Sequence, residues 1–379
     1  MKRKLLKALS ILFITLTVLL FPVTAFAQEN AEFEIDEENF VYVLDDEGGR
    51  FYGDGEFTSG ENVYTVTEGR ITAINGENTG FVTIEEKQYL ISDGILFTGL
   101  YDKKYYENGL NDTKLTGYKT VNGKNYYFKK GALATTVITA TSGENKGKLI
   151  YIKNGLFNKA SGKTNVGKST YFFSKGVAQG GLKTIDGKKY YFNKKTFKCI
   201  KNYELKLSGK WYIANKDGVL KLKPKAYVRA SELIAKLTKA NDAKKAKLYK
   251  CYKWTAATCK YKFKDGYNDP VGKKWVNNYA YNMMNTQRGR CYSFSAAFAV
   301  MARELGYTNV RVVVGECNGF TGKYLVHCWV EIDINGETRV FDPEWQYRHP
   351  GKNYTSAYNK TYDKVPHKYK IDYTIDVNK

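Results

Sequence analysis

The chain has 379 residues, and 60 lysine and arginine side chains against 38 acidic ones give it a formal net charge of +22. The charge is uneven, because residues 28–87 hold 16 acidic and 3 basic side chains, whereas residues 88–379 carry a net +31. Nucleic acid is the usual partner of so basic a chain, but the N-terminal sequence directs the protein out of the cell and argues against it. Outside a cell, a basic surface favours anionic wall polymers, acidic polysaccharide or lipid headgroups as neighbours.

Residues 1–27 have the pattern of a secretory signal peptide. Residues 2–7 hold four basic side chains, residues 11–20 are mostly apolar, and Ala-Phe-Ala at 25–27 provides a cleavage site before Gln28. The apolar stretch is too short for a membrane helix, and no other segment is long and apolar enough to span a bilayer. The sequence therefore predicts a secreted protein of the cell wall or cell surface, with no transmembrane anchor.

Residues 86–222 contain an internal repeat. A Gly-Lys pair begins at positions 123, 147, 167, 187 and 209, and aromatic or β-branched residues follow it each time. Each unit is predicted to form short strands joined by turns. A single hairpin of this size cannot bury a core, so the units are expected to stack.

The clearest units, residues 117–128 and 181–192, resemble the cell-wall-binding repeats of choline-binding and glucan-binding surface proteins of Gram-positive bacteria. The resemblance implies a β-solenoid whose aromatic side chains bind wall polysaccharide or teichoic acid. Choline is disfavoured, because tryptophan, which typically builds a choline cage, occurs in this half only as Trp211. Alternatively, the aromatic side chains only pack neighbouring units together. The candidate wall-binding residues are Tyr126, Tyr127, Phe128, Tyr171, Phe172, Tyr190, Tyr191, Trp211 and Tyr212.

Two other segments of the N-terminal half have simpler interpretations. Residues 28–85 form an acidic region in which 40–85 hold degenerate repeats and 28–38 are predicted to be a flexible leader. Residues 162–169 match the phosphate-loop pattern G-x-x-x-x-G-K-S. That loop requires a helix after it, whereas a predicted strand follows here, so a nucleotide site is rejected.

From about residue 225 the composition changes, and residues 225–379 are predicted to form an α+β domain. Ser231 is expected to cap a first helix, a second helix is expected over 243–260, and a third over 291–305 is followed by Gly306. Strands are predicted at 310–315, 324–334 and 339–341, with an Asn-Gly hairpin turn before the last. The predicted fold class is therefore multidomain, a β-hairpin repeat solenoid followed by an α+β domain.

Cys291, at the start of the third helix, is the candidate nucleophile. A helix N-terminus favours a thiolate. His327 lies on a predicted strand whose face it shares with Trp329, and the following turn returns the chain so that Asp342 comes alongside it. A histidine can move the proton of a thiol, and a carboxylate behind it orients the ring. The alternative is an ordinary buried thiol and a histidine packed in a sheet.

Four sequence blocks, residues 289–291, 305–315, 327–331 and 341–345, are similar to those of transglutaminase-like domains, which have a papain-like cysteine-hydrolase core. The resemblance implies that Cys291 is the nucleophile, His327 the base and Asp342 the orienting residue. The backbone N–H of Cys291 is expected to form part of an oxyanion hole. Gln287 is a candidate second donor, although a solvated loop glutamine explains it equally well. No metal or cofactor is implied.

The remaining cysteines do not suggest a disulfide framework. With Cys291 as a free nucleophile, five of the six cysteines are left, so they cannot all pair within one chain. Cys251 and Cys259 are predicted to lie about 12 Å apart along one helix, which exceeds the reach of a disulfide. Cys317 with Cys328 is the only pair worth testing.

The leading functional prediction is a secreted, wall-associated cysteine enzyme that acts on amide bonds of a protein or peptide through a thioester. Hydrolysis by a peptidase or amidase is favoured, because simple bacterial domains of this type need no dedicated site for an amine. A cross-linking transglutaminase, an amidase of peptidoglycan stem peptides and a non-catalytic surface adhesin are the alternatives. The family resemblance does not choose among them.

Overall fold

The structure is a computed structural model that describes residues 26–27, 31–262, 270, 272–319, 321–351 and 353–377. The chain divides into two compact units. Unit 1 comprises the residues up to 180 together with 194–198, and unit 2 comprises 181–193 and 199 onward. Apart from the backbone of residues 26–27, the predicted signal peptide lies outside the described residues. No helix in the described part of the chain is long and apolar enough to cross a membrane.

The acidic N-terminal region forms two small sheets. The first has the strand order β1-β4-β5-β6-β3-β2 and the second the order β7-β8-β9. Their strands are β1 (Phe26–Ala27), β2 (Phe33–Ile35), β3 (Val41–Val43), β4 (Gly55–Ser59), β5 (Asn62–Thr67), β6 (Arg70–Ile74), β7 (Thr79–Ile84), β8 (Lys87–Ser92) and β9 (Ile95–Leu96).

The prediction of a flexible leader over residues 28–38 is wrong for its described part. Phe33 and Ile35 alternate with acidic residues, which is the pattern of a strand with one apolar face. Both side chains pack against the core of the first sheet, and β2 pairs with β3. Glu34 also accepts a hydrogen bond from Arg50 at 3.0 Å, so the acidic composition does not prevent order here.

The repeats of unit 1 form hairpins that extend into shared sheets. Their strands are β10 (Gly99–Tyr101), β11 (Lys104–Glu107), β12 (Leu110–Asn111), β13 (Gly117–Val121), β14 (Lys124–Lys129), β15 (Ala132–Leu133), β16 (Thr136–Thr139), β17 (Leu149–Lys153), β18 (Leu156–Phe157), β19 (Gly162–Val166), β20 (Ser169–Ser174) and β21 (Val177–Ala178). The phosphate-loop pattern at 162–169 falls on the hairpin β19–β20, which confirms that a strand and not a helix follows it.

Successive repeats are connected by equivalent backbone hydrogen bonds. The N–H of Tyr127 donates to the carbonyl of Gly155 at 2.7 Å, and the N–H of Tyr151 donates to that of Gly176 at 2.9 Å. Gly155 has φ +76°, and a Cβ there would lie 2.7 Å from the side chain of Leu133. The second glycine of the repeat is therefore needed both for its backbone conformation and for the close approach of the preceding unit.

Unit 2 begins with two hairpins and continues into the α+β domain. Its elements are β22 (Gly181–Ile185), β23 (Lys188–Phe192), β24 (Tyr203–Leu207), β25 (Lys210–Ala214), β26 (Leu220–Leu222), α1 (Lys225–Leu237), α2 (Lys244–Thr258), β27 (Lys260–Tyr261), α3 (Val276–Thr286), β28 (Arg288–Gly289), α4 (Cys291–Glu304), β29 (Val310–Cys317), β30 (Leu325–Ile334), β31 (Glu337–Phe341), α5 (Pro343–Arg348) and β32 (Tyr369–Asp376). The main sheet is antiparallel, in the order β31-β30-β29-β32, which confirms the predicted α+β class.

Helix α4 forms the centre of this domain. Every residue from Cys291 to Ala302 is buried, as expected for a helix that is apolar on all sides. The helix packs against α1, α2, α3 and β30. The hydroxyl of Ser295 donates to the carbonyl of Cys328 at 2.7 Å, which fixes the helix against the strand that carries His327.

Several local predictions need correction. Helix α1 begins at Lys225 after Pro224, so Ser231 lies in its interior, where its hydroxyl donates to the carbonyl of Tyr227 at 3.0 Å. Cys259 follows the end of α2 rather than sharing the helix with Cys251. All six cysteines lie within the described residues, and none of them forms a disulfide. The pairing of β29 with β30 sets Cys317 opposite Leu325 rather than opposite Cys328.

A buried lysine connects the last hairpin to the helices of unit 2. The side chain of Lys223 is only 3% exposed. Its ammonium lies 2.7 Å from Glu204 of β24, 2.6 Å from Glu304 of α4 and 3.0 Å from the hydroxyl of Ser231. The hairpin over 203–222 is therefore part of the structure of the α+β domain as well as the last repeat in the sequence.

Replacing Lys223 with methionine is expected to destabilise unit 2 by about 3–5 kcal/mol, because two carboxylates lose their shared buried cation. All five tryptophans lie in unit 2, so urea unfolding followed by tryptophan fluorescence reports on this unit. Lys250→Met is the matched control, because its ion pair with Asp242 is partly exposed and is expected to contribute no more than about 1 kcal/mol. Equal unfolding midpoints for the two variants would contradict this account.

Candidate active site

Cys291 is the first residue of α4, and the chain approaches it in an extended conformation at Arg290, with φ −100° and ψ −179°. A Cβ at Gly289 would lie 2.4 Å from the Cβ of Ser293, so this close approach requires glycine. The side chain of Cys291 therefore lies at a helix N-terminus, where the unpaired backbone N–H groups favour negative charge. Cys291 is 5% exposed.

His327 and Asp342 meet through the hairpin of β30 and β31. Val330 pairs with Phe341, so the residue after Phe341 returns alongside the start of β30. The Nε2 atom of His327 lies 2.6 Å from Oδ2 of Asp342, and both side chains are buried. His327 and Trp329 lie on the same face, with parallel rings 6.2 Å apart, whereas Cys328 packs into the helix-lined core, as the alternation of the strand predicts.

The thiol of Cys291 lies close enough to the imidazole of His327 to favour the charged form of the ring. Burial of His327 opposes its protonated form, but the charge of Asp342, the hydrogen bond with Asp342 and the proximity of Cys291 outweigh burial. The pKa of His327 is therefore raised well above its ordinary value of 6.5. The three side chains form a continuous thiol–imidazole–carboxylate chain.

Asp342 is also the N-cap of α5. Its Oδ1 accepts from the backbone N–H of Trp345 at 2.9 Å, and its Oδ2 accepts from the hydroxyl of Tyr369 at 2.8 Å. Burial opposes its charge, but the facing charge of His327 and the hydrogen bonds from His327 and from the backbone N–H of Trp345 outweigh burial and hold the pKa of Asp342 well below its usual range. The carboxylate thus has both oxygens fixed.

The site contains residues that sequence reasoning did not identify. Nε2 of His367 lies 3.8 Å from Oδ2 of Asp342, and the ring of Tyr369 packs against that of Trp329 and lies 6.4 Å from that of His327. Glu344 lies with its Oε2 atom 3.6 Å from Nδ1 of His327. The sequence gives one indication of this cluster, in the segment from Asp342 to Trp345. Pro343 there is typical of the first position of a helix, and such a helix follows Asp342.

Gln287, the candidate oxyanion donor, lies at the end of α3. Its backbone has φ +54° and its carbonyl accepts from the N–H of Lys260 at 2.8 Å. Its side chain is exposed, four residues before Cys291. Its participation in an oxyanion hole stays a prediction.

The candidate wall-binding aromatic residues have different environments. Phe128, Tyr171 and Tyr190 are buried, so their rings stabilise the packing of the repeats instead of forming a surface for a polymer, contrary to the prediction for these three residues. Trp211 is 38% exposed. The half-buried rings are those of Tyr126, Tyr127, Phe172, Tyr191 and Tyr212.

Comparisons with known proteins address the two parts of the chain separately. Residues 231–345 match the family described as the Transglutaminase-like superfamily. This match identifies the C-terminal part of the chain as a transglutaminase-like domain, and the chain joins that domain to an array of β-hairpin repeats.

Glucosyltransferase-I of Streptococcus downei is 26% identical over 208 residues, which are 45% of this chain and 13% of that protein. The chain thus spans about an eighth of the length of this curated relative. Choline binding protein F of Streptococcus pneumoniae is 17% identical, with 51% of this chain and 80% of that chain covered and a TM-score of 0.20. Truncated alternansucrase of Leuconostoc mesenteroides is 24% identical, with 36% and 12% covered and a TM-score of 0.28.

In the part of the chain that the structure describes, no group of three or more His, Cys, Asp or Glu side chains is arranged to hold a metal ion.

Proposed function

We propose that the protein is a secreted, cell-wall-associated cysteine enzyme that acts on amide bonds of a protein or peptide. The contact chain from Cys291 through His327 to Asp342, at the N-terminus of α4, is the observation that supports it. A charge-stabilised imidazolium beside a thiol at a helix N-terminus is the environment in which a cysteine acts as a nucleophile.

In the proposed reaction, the sulfur of Cys291 attacks the carbonyl carbon of the amide. The backbone N–H groups at the start of α4 stabilise the oxyanion that forms. The imidazolium of His327 gives a proton to the departing nitrogen, so that an amine leaves and a thioester remains. Water or a second amine then attacks the thioester while His327 takes its proton. The C–S bond breaks, a carboxylic acid or a new amide leaves, and Cys291 returns as the thiolate beside the imidazolium of His327. Asp342 orients the ring and stabilises its charge throughout.

Transfer to water is the favoured second half of the reaction, because it needs no second binding site for an amine. The test is incubation of the mature protein with glutamine-rich casein and a fluorescent primary amine, followed by gel electrophoresis and mass spectrometry. Cleaved casein without bound amine is the expected product. Incorporation of the amine would instead establish a cross-linking transglutaminase, and no modification of casein would favour an amidase of wall peptides or a binding protein.

We also propose that the repeats hold the protein on wall polysaccharide or teichoic acid. A cleft of about 670 Å³ in unit 1 is formed by successive repeats. Phe197 provides aromatic surface, and three lysines lie at the edge of the cleft, namely Lys148, Lys195 and Lys198. Aromatic rings stack on sugar faces, and lysines attract phosphate or carboxylate groups. This composition suits an anionic glycan or polyol-phosphate polymer.

The mature protein is expected to sediment with purified Gram-positive cell walls at low salt and less at high salt, because screening weakens exposed charge interactions. The Lys148→Glu, Lys198→Glu double variant is expected to bind walls several-fold more weakly. A Lys216→Glu, Lys221→Glu variant has the same change of net charge at exposed lysines outside the cleft and is the matched control. Equal loss in both variants would assign binding to net charge alone, and no sedimentation of the wild type would refute the attachment.

A further inference from the structure

A second buried carboxylate lies beside the imidazole of His327. Asp342 occupies the Nε2 side of the ring at 2.6 Å, and Glu344 approaches Nδ1 with its Oε2 atom at 3.6 Å. The side chain of Glu344 is 2% exposed. The Nε2 atom of His327 therefore faces Asp342, and its Nδ1 atom lies on the side of Glu344.

The carboxylate of Glu344 is held in a fixed orientation. The guanidinium of Arg348, one turn later in α5, donates to Oε1, which leaves Oε2 directed toward His327. Arg348 in turn lies over the ring of Tyr261, 4.5 Å from its centroid. Strand β27, which contains Tyr261, pairs with β28, directly before Cys291. Glu344 is thus connected to both ends of the site, through α5 to Asp342 and through Tyr261 to the segment that leads to Cys291.

We propose that Glu344 is a positioning residue that stabilises the imidazolium of His327 from the Nδ1 side of the ring. This role rests on the proposed function of His327 as the proton donor to the leaving amine. Two carboxylates on opposite sides of one ring favour its charged form more than one does. Glu344 acts through His327 and does not itself bind the reacting atoms.

The titratable and charged groups that face this carboxylate are His327 on β30, Asp342 and Arg348 at the two ends of α5, Tyr261 on β27 and Cys317 on β29. Burial raises the pKa of Glu344 above 4.5, against the lowering effects of His327 and Arg348. Glu344 therefore loses its charge at a higher pH than an ordinary glutamate does. Its support of the imidazolium is present above that pKa and is lost below it.

The chain contains three histidines, so the full-length protein labelled with ¹³C at histidine Cε1 gives three resonances. A His349→Gln variant and a His367→Gln variant assign them. In Glu344→Gln, the pKa of His327 is expected to fall by about one pH unit or more, because a nearby opposite charge is removed. The amide keeps the size of the side chain and an oxygen that can accept from Arg348.

Glu331→Gln is the matched control. Glu331 is also a buried glutamate of unit 2, and its carboxylate pairs with Arg311 at 2.8 Å. This change is expected to leave the pKa of His327 as it is in the wild type. Equal pKa values of His327 in the wild type and in Glu344→Gln would overturn the proposal.

The wild type provides a second test, which does not require the variant to fold. The resonance of His327 is expected to move a further time as Glu344 takes up a proton, at a pH above 4.5. A resonance that stays constant through that range would contradict the proximity of the two charges. Neither titration depends on turnover, so failure of the proposed amide chemistry and failure of this inference are separately visible.

Discussion

Cys291→Ala is expected to abolish cleavage of casein, with a loss of turnover on the order of 10⁵-fold or more, because members of a nucleophile–base pair act as a unit. The thioester cannot form without the sulfur, and the remaining backbone donors and substrate binding give only a small residual rate. The change removes one buried sulfur atom, so the fold is expected to persist. Turnover is measured by mass spectrometry of casein fragments, with tryptophan fluorescence as the check on folding.

Cys199→Ala is the matched control and is expected to keep full activity, because Cys199 lies in the hairpin segment before β24 and outside the site.

Iodoacetamide at pH 6 is expected to modify Cys291 preferentially. Burial raises the pKa of Cys251 and Cys259 to about 12 and that of Cys317 to about 11. At pH 6, roughly one such thiol in 10⁵ or fewer is ionised. Persistent casein cleavage by Cys291→Ala would refute the proposed mechanism.

The central part of the site could be predicted because its three members lie at the ends of elements that follow clear patterns. Cys291 starts a long apolar helix, His327 lies on an alternating strand, and the Asn-Gly turn at 335–336 determines where Asp342 returns. Local periodicity and one turn are therefore enough to predict that the thiol, the imidazole and the carboxylate lie close together. The separation of Cys291 from His327 along the chain does not matter, because α4 packs on β30.

The rest of the site depends on contacts that the sequence pattern does not contain. Tyr369 reaches Asp342 because β32 joins the sheet at the edge of β29, and a segment rich in lysine and tyrosine gave no indication of such a strand. In the repeats, the sequence pattern also does not separate aromatic residues that pack the units together from those that remain accessible to a polymer. In a stack of short hairpins, aromatic rings are the main apolar side chains from which a core can form. Phe128, Tyr171 and Tyr190 are therefore buried.

Replacing Asp342 with alanine is expected to lower kcat by about 10³–10⁴-fold, because the ring of His327 loses the charge that orients and stabilises it. The variant also loses the N-cap of α5, which costs about 1 kcal/mol and leaves the fold intact. Tyr369→Phe is the matched control, since it removes one hydrogen bond to the same oxygen and keeps the charge. The loss of this hydrogen bond is expected to lower the free energy of unfolding by about 1 kcal/mol. Two variants of similar activity would argue against a catalytic role for the carboxylate.

The pH dependence of stability separates the charge of Asp342 from its capping role. The lowered pKa of Asp342 means that its contribution is complete above 3.8 and is lost as pH falls through the folded value. The raised pKa of His327 means that its contribution is complete below 6.5 and is lost as pH rises through the folded value. The wild type should therefore exceed Asp342→Ala most in free energy of unfolding between pH 3.8 and pH 6.5. Urea midpoints followed by tryptophan fluorescence measure this difference. A difference that stays constant from acid to alkaline pH would mean that Asp342 acts only as a helix cap, and the thiol–imidazole pair would then have no charged support from this side.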